Sequence, residues 1–268
     1  MMTSLITGLT LATTRVEAQV IHTDTQGIVA GETKVPVSDG QLPAYFARPQ
    51  GEGPFPTVVV IEEIFGVHDY IKDICRRLAK AGYLAVAPEL YARIADLSVM
   101  TDAAAIVRDV ISKAPDATVL TDLDSTVAWA RAEGHGDTTR LGVTGFCRGG
   151  RDVWLFNAHS PALKAAVAWY GPVGGPTTEI QPRTAADVAA TLNAPLLGLY
   201  GANDPGIPVD QVQAAAARAR QAGKTVEIVV EAGATHGFHA DYRPSYNREA
   251  AEDGWRRMLA WFRQYGVA

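Results

Sequence analysis

Cysteine is scarce in this chain. Of 268 residues only Cys75 and Cys147 are cysteines, and two cannot build a disulfide framework. Metal-ligand spacing is scarce too. His236 and His239 are separated as in some metal sites, but no cysteine or carboxylate cluster accompanies them, so no metal is expected. There is no run of Lys or Arg, and the net charge is −5. Phosphate backbones need a concentrated cationic surface, so no nucleic-acid partner is expected. A small anionic ligand is still admitted, because one or two placed arginines hold a carboxylate. No apolar run is long enough to span a bilayer, and no membrane partner is expected. Finally, no Gly-x-Gly-x-x-Gly follows the first parallel strand and no Walker-type loop occurs, which argues against the nucleotide-binding α/β folds. No cofactor is expected.

What is present is the composition of an ordinary globule, with 47% hydrophobic and 20% charged residues. The length suits one core, and residues 19–268 are expected to form a single domain. Residues 1–18 stand apart. Ser4 to Ala12 is modestly apolar, and Val16-Glu17-Ala18 offers a small-residue cleavage pattern before Gln19. This resembles the back half of a secretory signal without its basic start, a degenerate or truncated leader. Export to the periplasm or beyond is expected if it operates, and a cytoplasmic location otherwise. Nothing in the sequence decides the oligomeric state.

Two strands, over 33–37 and 42–48, flank Asp39-Gly40, a hairpin signal. Residues 57–61 read TVVVI, a β-branched run suited to a strand buried on both faces. An alternation follows: helix 70–81, strand 83–87, helices 102–112 and 117–132, strand 141–144, a helix ending near Ala158, strand 165–170, strand 195–200, helix 209–222, strand 225–230 and helix 246–265. Cys75 lies on the apolar face of the first helix with Ile71, Ile74 and Leu78, and reads as core. Residues 170–193 are rich in Pro, Gly and Thr and read as a surface loop, a flap at the pocket mouth being the other option. Strands alternating with helices imply a mostly parallel sheet covered on both faces. Eight strands in this order predict the α/β-hydrolase fold.

The strongest local signal is Gly145-Phe146-Cys147-Arg148-Gly149, a nucleophile-elbow pattern with cysteine in the serine position. In such an elbow the glycines two residues either side remove side chains that would collide in a strained turn. The following helix aims its dipole and free N–H groups at the nucleophile, which favours a thiolate. The Arg148 N–H would face a developing oxyanion. A base and its orienter should follow on loops after later strands, in the order acid then histidine. Asp204 follows strand 195–200 and His236 follows strand 225–230, so topology picks both. His239 is the reserve histidine and reads as a pocket wall.

Together these residues carry a resemblance. The chain resembles the dienelactone hydrolase family, the carboxymethylenebutenolidase-like proteins, from about Gly31 to its C-terminus. The markers are Glu62-Glu63-Ile64-Phe65-Gly66, Pro88-Glu89-Leu90-Tyr91-Ala92-Arg93, Gly145-Phe146-Cys147-Arg148-Gly149-Gly150, the Asp204 loop ending in Ile207-Pro208, and His236-Gly237-Phe238-His239. The resemblance implies that Glu63 contacts the resting thiol and governs its ionisation. It implies that the Ile64 N–H is the second oxyanion donor, and that Arg93 binds a substrate carboxylate, with Phe65 and His239 at the substrate. There are two departures. Ala240 stands where dienelactone-specific members carry a second arginine, with Arg243 near in sequence and of open direction. Arg148 replaces a usual large apolar residue and could supply a carboxylate contact instead. Both weaken a strict dienelactone specificity and leave acyl transfer intact.

The sequence therefore points to a hydrolase of esters or lactones acting through Cys147, His236 and Asp204 by way of a thioester. Three rival readings keep the fold. One is a thiol redox sensor, which would need a resolving cysteine that the helical Cys75 does not supply. One is a non-catalytic binding protein, which has no use for a nucleophile on an elbow. The last is a serine-type peptidase relative, but no serine occupies the elbow.

Overall fold

The computed structural model describes residues 21–268, so the leader-like segment over 1–18 lies outside the described residues. The chain runs β1 (Ile28–Val37), β2 (Gly40–Pro49), β3 (Phe55–Ile61), α1 (Asp69–Lys80), β4 (Leu84–Pro88), α2 (Ala103–Asp109), α3 (Asp116–Ala132), β5 (Gly136–Phe146), α4 (Arg148–His159), β6 (Leu163–Trp169), α5 (Ala185–Val188), β7 (Leu196–Gly201), α6 (Val209–Gln221), β8 (Val226–Glu231) and α7 (Arg248–Gln264). The strands form one eight-stranded sheet in the order β1-β2-β4-β3-β5-β6-β7-β8. β1 and β2 are antiparallel, β2 joins β4 antiparallel, and every later pairing is parallel. This is the α/β-hydrolase architecture.

Adjacent strand residues point to opposite faces, and Val58, Val59, Val60 and Ile61 are all fully buried, so β3 is covered on both sides. Helix α1 packs on β2 and β4, α4 on β5 and β6, and α7 on β6 and β7. In α1 the expected face is buried, Cys75 included. The parallel strands all point their C-terminal ends one way, and the segments after β3, β5, β6, β7 and β8 meet there. In open α/β sheets that edge is where ligands bind.

Several boundaries moved. β1, β2 and β5 are longer than the patterns suggested: the β1–β2 ladder runs from Ile28 opposite Pro49 to Val37 opposite Gly40, and β5 already pairs with β3 at Gly136 and Asp137 before an irregularity that passes over residues 138–140. The helix expected over 102–112 breaks at Val110 and resumes as a 3-10 turn over Ile111–Lys113. The last helix starts at Arg248, where the Asn247 side chain accepts the Ala250 N–H as a cap. The irregular 170–193 stretch contains the short α5, begun by a capping box at Thr184 and Asp187.

Candidate active site

Cys147 sits between the end of β5 and the first residue of α4. Its backbone is at φ 54°, ψ −116°, a region that L residues other than glycine rarely adopt. The turn is held on both sides: the Cys147 N–H donates to the Trp169 carbonyl at 3.0 Å, and its carbonyl accepts the Gly150 N–H at 2.9 Å. The flanking glycines are steric necessities. A Cβ on Gly145 would lie 2.5 Å from the Gly149 carbonyl oxygen, and one on Gly149 would lie 2.4 Å from that of Glu62. Arg148 opens the helix, so its N–H has no intrahelical acceptor.

The loops after β7 and β8 bring Asp204 and His236 to the sulfur. His236 Nε2 lies 3.2 Å from Cys147 Sγ, and its Nδ1 lies 2.7 Å from Asp204 Oδ2. The other Asp204 oxygen accepts the Gly206 N–H at 2.9 Å, which fixes the carboxylate. All three side chains are buried. Burial opposes an imidazolium at His236, but the Cys147 sulfur and the Asp204 carboxylate outweigh it and lift the histidine to about 10. The arrangement therefore stores a proton on His236, beside a sulfur and ready for transfer.

Glu62 and Glu63 follow β3 and are shifted in opposite directions. Burial, with Glu89 alongside, pushes the Glu62 carboxyl well above its ordinary range, although one oxygen accepts the Leu90 N–H. Glu63 is equally buried, yet Arg243, His68 and Tyr242 overcome that burial and hold it down at about 2. The Tyr242 hydroxyl donates to Glu63 Oε2 at 2.6 Å, and Arg243 Nη2 lies 3.2 Å from Oε1. Glu63 is thus a carboxylate whose partners are Arg243 and Tyr242, while the partner of the thiol is His236. The direct thiol contact expected for Glu63 is absent from this arrangement.

Arg243 points inward and is 3% exposed. Its guanidinium lies 5.1 Å from the ring centres of both Phe65 and Tyr242. Phe65 thereby joins the site through Arg243. Ile64 is buried immediately after Glu63 on the loop that follows β3.

Three expected substrate contacts are otherwise engaged. Arg93 spends its Nε and Nη2 on Asp39, at 2.7 Å each, and its Nη1 on Asp122 at 2.5 Å. Two protein carboxylates thus occupy the fork expected for a substrate carboxylate. The Arg148 side chain reaches Asp152, Gln181 and Asp116 at 3.2 to 3.3 Å, and it belongs to a buried ion network with Arg151. His239 is not a pocket wall but a core residue. It is 2% exposed, accepts the Tyr70 hydroxyl at Nδ1 over 2.7 Å, and packs against Trp169 at 4.5 Å between ring centres.

Burial, with Arg77 nearby, depresses His239 to about 3 from an ordinary 6.5. The unfolded chain takes up a proton there below about 6.5, which the folded protein refuses. This stability is present above that pH and lost as pH falls toward about 3. His239→Asn, whose Oδ1 can still accept from Tyr70, should flatten the loss. Melting temperatures of native and variant protein between pH 6.5 and 4.5 test it. Glu63 does not interfere, because its own window opens below 4.5. Parallel curves for the two proteins would remove His239 as the cause.

The sequence reading missed Tyr242, Glu62 and Tyr170. Tyr242 and Arg243 lie six and seven residues after His236, and a polar-aromatic pair on the loop that carries the histidine was the available signal.

The sequence pattern described as "Dienelactone hydrolase family" matches residues 42–266. A Methylorubrum extorquens protein named "Putative carboxymethylenebutenolidase" is 57% identical over 267 residues, 99% of this chain and 92% of that one. An Escherichia coli protein of the same name is 49% identical over 267 residues, covering 99% and 98%. The crystal structure of a "Putative Dienelactone Hydrolase" from Klebsiella pneumoniae superposes with a TM-score of 0.86 at 54% identity, covering 89% of this chain and 99% of that one.

Proposed function

The chain belongs to the dienelactone hydrolase family, and from that premise we propose that it hydrolyses lactones and small carboxylic esters through Cys147, His236 and Asp204, with a thioester intermediate. The observation that carries the reading is the unbroken line Sγ–Nε2, 3.2 Å, and Nδ1–Oδ2, 2.7 Å, set on a strained turn at the head of α4. Family membership supports the coarser statement, a hydrolase of lactone or ester bonds.

The Cys147 sulfur, as thiolate, attacks the carbonyl carbon and its electron pair moves to the carbonyl oxygen. The N–H groups of Arg148 and Ile64 hold that oxyanion. Collapse re-forms the carbonyl, breaks the C–O bond and leaves an S-acyl enzyme. The departing oxygen takes the proton stored on His236; the enolate released by a conjugated lactone takes that same proton after it has left, so His236 ends neutral in both cases. Neutral His236, oriented by Asp204, then takes a proton from water as the hydroxyl attacks the thioester. Collapse breaks the C–S bond and returns the thiolate beside protonated His236; the acid released gives its remaining proton to solvent and leaves as the carboxylate. Arg243, within electrostatic reach of the sulfur, and Glu63 form a second buried ion pair, suited to sense the charge of an arriving substrate. With Arg93 and the Arg148 side chain engaged by Asp39, Asp122, Asp116 and Asp152, the reading favours a broad ester and lactone range over one dienelactone.

The test is a rapid acid quench during turnover of p-nitrophenyl acetate, followed by intact-mass and peptide analysis. An acetyl group on the peptide containing Cys147 is expected. Turnover with no acylated Cys147 under burst conditions would sink the thioester, and no turnover of this ester or a dienelactone would sink the hydrolase reading.

A further inference from the structure

Tyr170 follows β6 directly and is the one site residue whose backbone and side chain are both in costly states. Its φ is +37°, in the left-handed region that non-glycine residues avoid. The crossing it makes is tight: a Cβ on the next residue, Gly171, would lie 2.3 Å from the Gly150 carbonyl carbon in the first turn of α4. A glycine at 170 would make that crossing without strain. A tyrosine stands there instead, with no exposed surface. Its hydroxyl has no hydrogen-bond partner among the described residues. A buried hydroxyl left unpaired is destabilising, and most such groups in folded proteins find a partner. Strain and an orphaned donor in one side chain mark a position kept for something other than stability.

Its surroundings say what that is. The ring meets the His236 ring edge-on, with centres 5.3 Å apart, and also packs on Phe238. The polar groups that act on the hydroxyl are Tyr70, Glu63 and Arg243, and burial keeps it protonated, hence a donor. Arg243 Nη2 and His68 Nε2 are held by Glu63 as ion-pair contacts, at 3.2 and 3.6 Å, and neither contact has hydrogen-bond geometry. Tyr70 donates its own proton to His239, and its oxygen neighbours the Tyr170 hydroxyl without meeting hydrogen-bond geometry. His236 must face the departing oxygen, so a hydroxyl donor on the ring packed edge-on against it serves the part of the substrate that stays on sulfur.

We propose that Tyr170 is a further substrate-contacting residue, its hydroxyl donating a hydrogen bond to an oxygen carried by the acyl group beside the scissile carbonyl. The inference rests on the hydrolase reading and deepens it. The site then prefers acyl groups with an acceptor oxygen near the carbonyl over plain alkyl chains of the same size.

The experiment compares native protein and Tyr170→Phe on p-nitrophenyl methoxyacetate and p-nitrophenyl butyrate, which differ by one oxygen in place of a methylene. The ratio of kcat/KM for the first over the second removes changes common to both. That ratio is expected to fall about five- to tenfold in the variant, the effect of one hydrogen bond. The melting temperature should not fall, because the lost hydroxyl has no partner in the free protein. An unchanged ratio, whatever the absolute rates, overturns the proposal, and so does a clear loss of thermal stability. If native protein turns over neither ester, the hydrolase reading fails and this one with it. If native protein is active and the ratio holds, only this one fails.

Discussion

Cys147→Ala is expected to lower kcat/KM on p-nitrophenyl esters by at least about 10⁴-fold while the protein stays folded. The sulfur is the only described atom placed to receive a proton-transfer partner at His236 Nε2, 3.2 Å away. Without it the N–H groups of Ile64 and Arg148 can still polarise a carbonyl, and His236 can still activate water. Such remnants account for about 10³- to 10⁴-fold over the uncatalysed rate in comparable triads, so the variant should not fall to zero. The exchange removes one buried sulfur and keeps the turn at φ 54°, so the melting temperature should shift by only a few degrees. Steady-state rates with a mercury-blocked native control make the measurement. Retention of more than a tenth of the activity would remove Cys147 from the chemistry.

That much of the site was legible because topology announces it. A glycine-flanked cysteine between a strand and a helix, an Asp after the next-to-last strand and a His after the last are positions that the fold dictates. The α/β order was legible for the same reason, since each β-branched run is separated from the next by a helical period. The side-chain partners were not. Arg93 matches a substrate-binding position, yet its acceptors, Asp39 in a hairpin turn and Asp122 on α3, are 54 and 29 residues away. No local pattern pairs them. Arg148 looked free for the same reason, with Asp116 lying 32 residues earlier. His239 shares a loop with His236, but only the three-dimensional stacking of Phe146, Trp169 and Trp255 reveals that it is core. The strain at Tyr170 has no sequence signature at all.

Gly149→Ala should damage both stability and catalysis. Its added methyl would meet backbone, with the Glu62 and Ile61 carbonyl oxygens at 2.4 and 2.5 Å. Neither is the movable end of a side chain. Relief requires α4 to back away from β3 or the loop after β3 to shift. Forced overpacking of this kind costs about 2–3 kcal/mol. The functional cost is larger than the stability cost suggests. β3 leads into Glu63 and Ile64, and α4 begins with Arg148, so the clash separates the two proposed oxyanion donors. A displacement near 1 Å in a catalytic constellation lowers rates by about 100-fold. Denaturant melts and kcat on one aryl ester give both numbers. Native-like values of each would mean that the β3–α4 contact is looser than the backbone distances imply.

The isolation of Cys75 has a practical consequence. It is fully buried in α1, and burial pushes its thiol far above the ordinary range. Of the two thiols, Cys147 alone borders the proposed active site. A small alkylating reagent applied under native conditions is therefore an active-site titrant. One equivalent counts competent molecules, the second appears only on unfolding, and the ratio of the two reports the folded fraction of a preparation without any substrate.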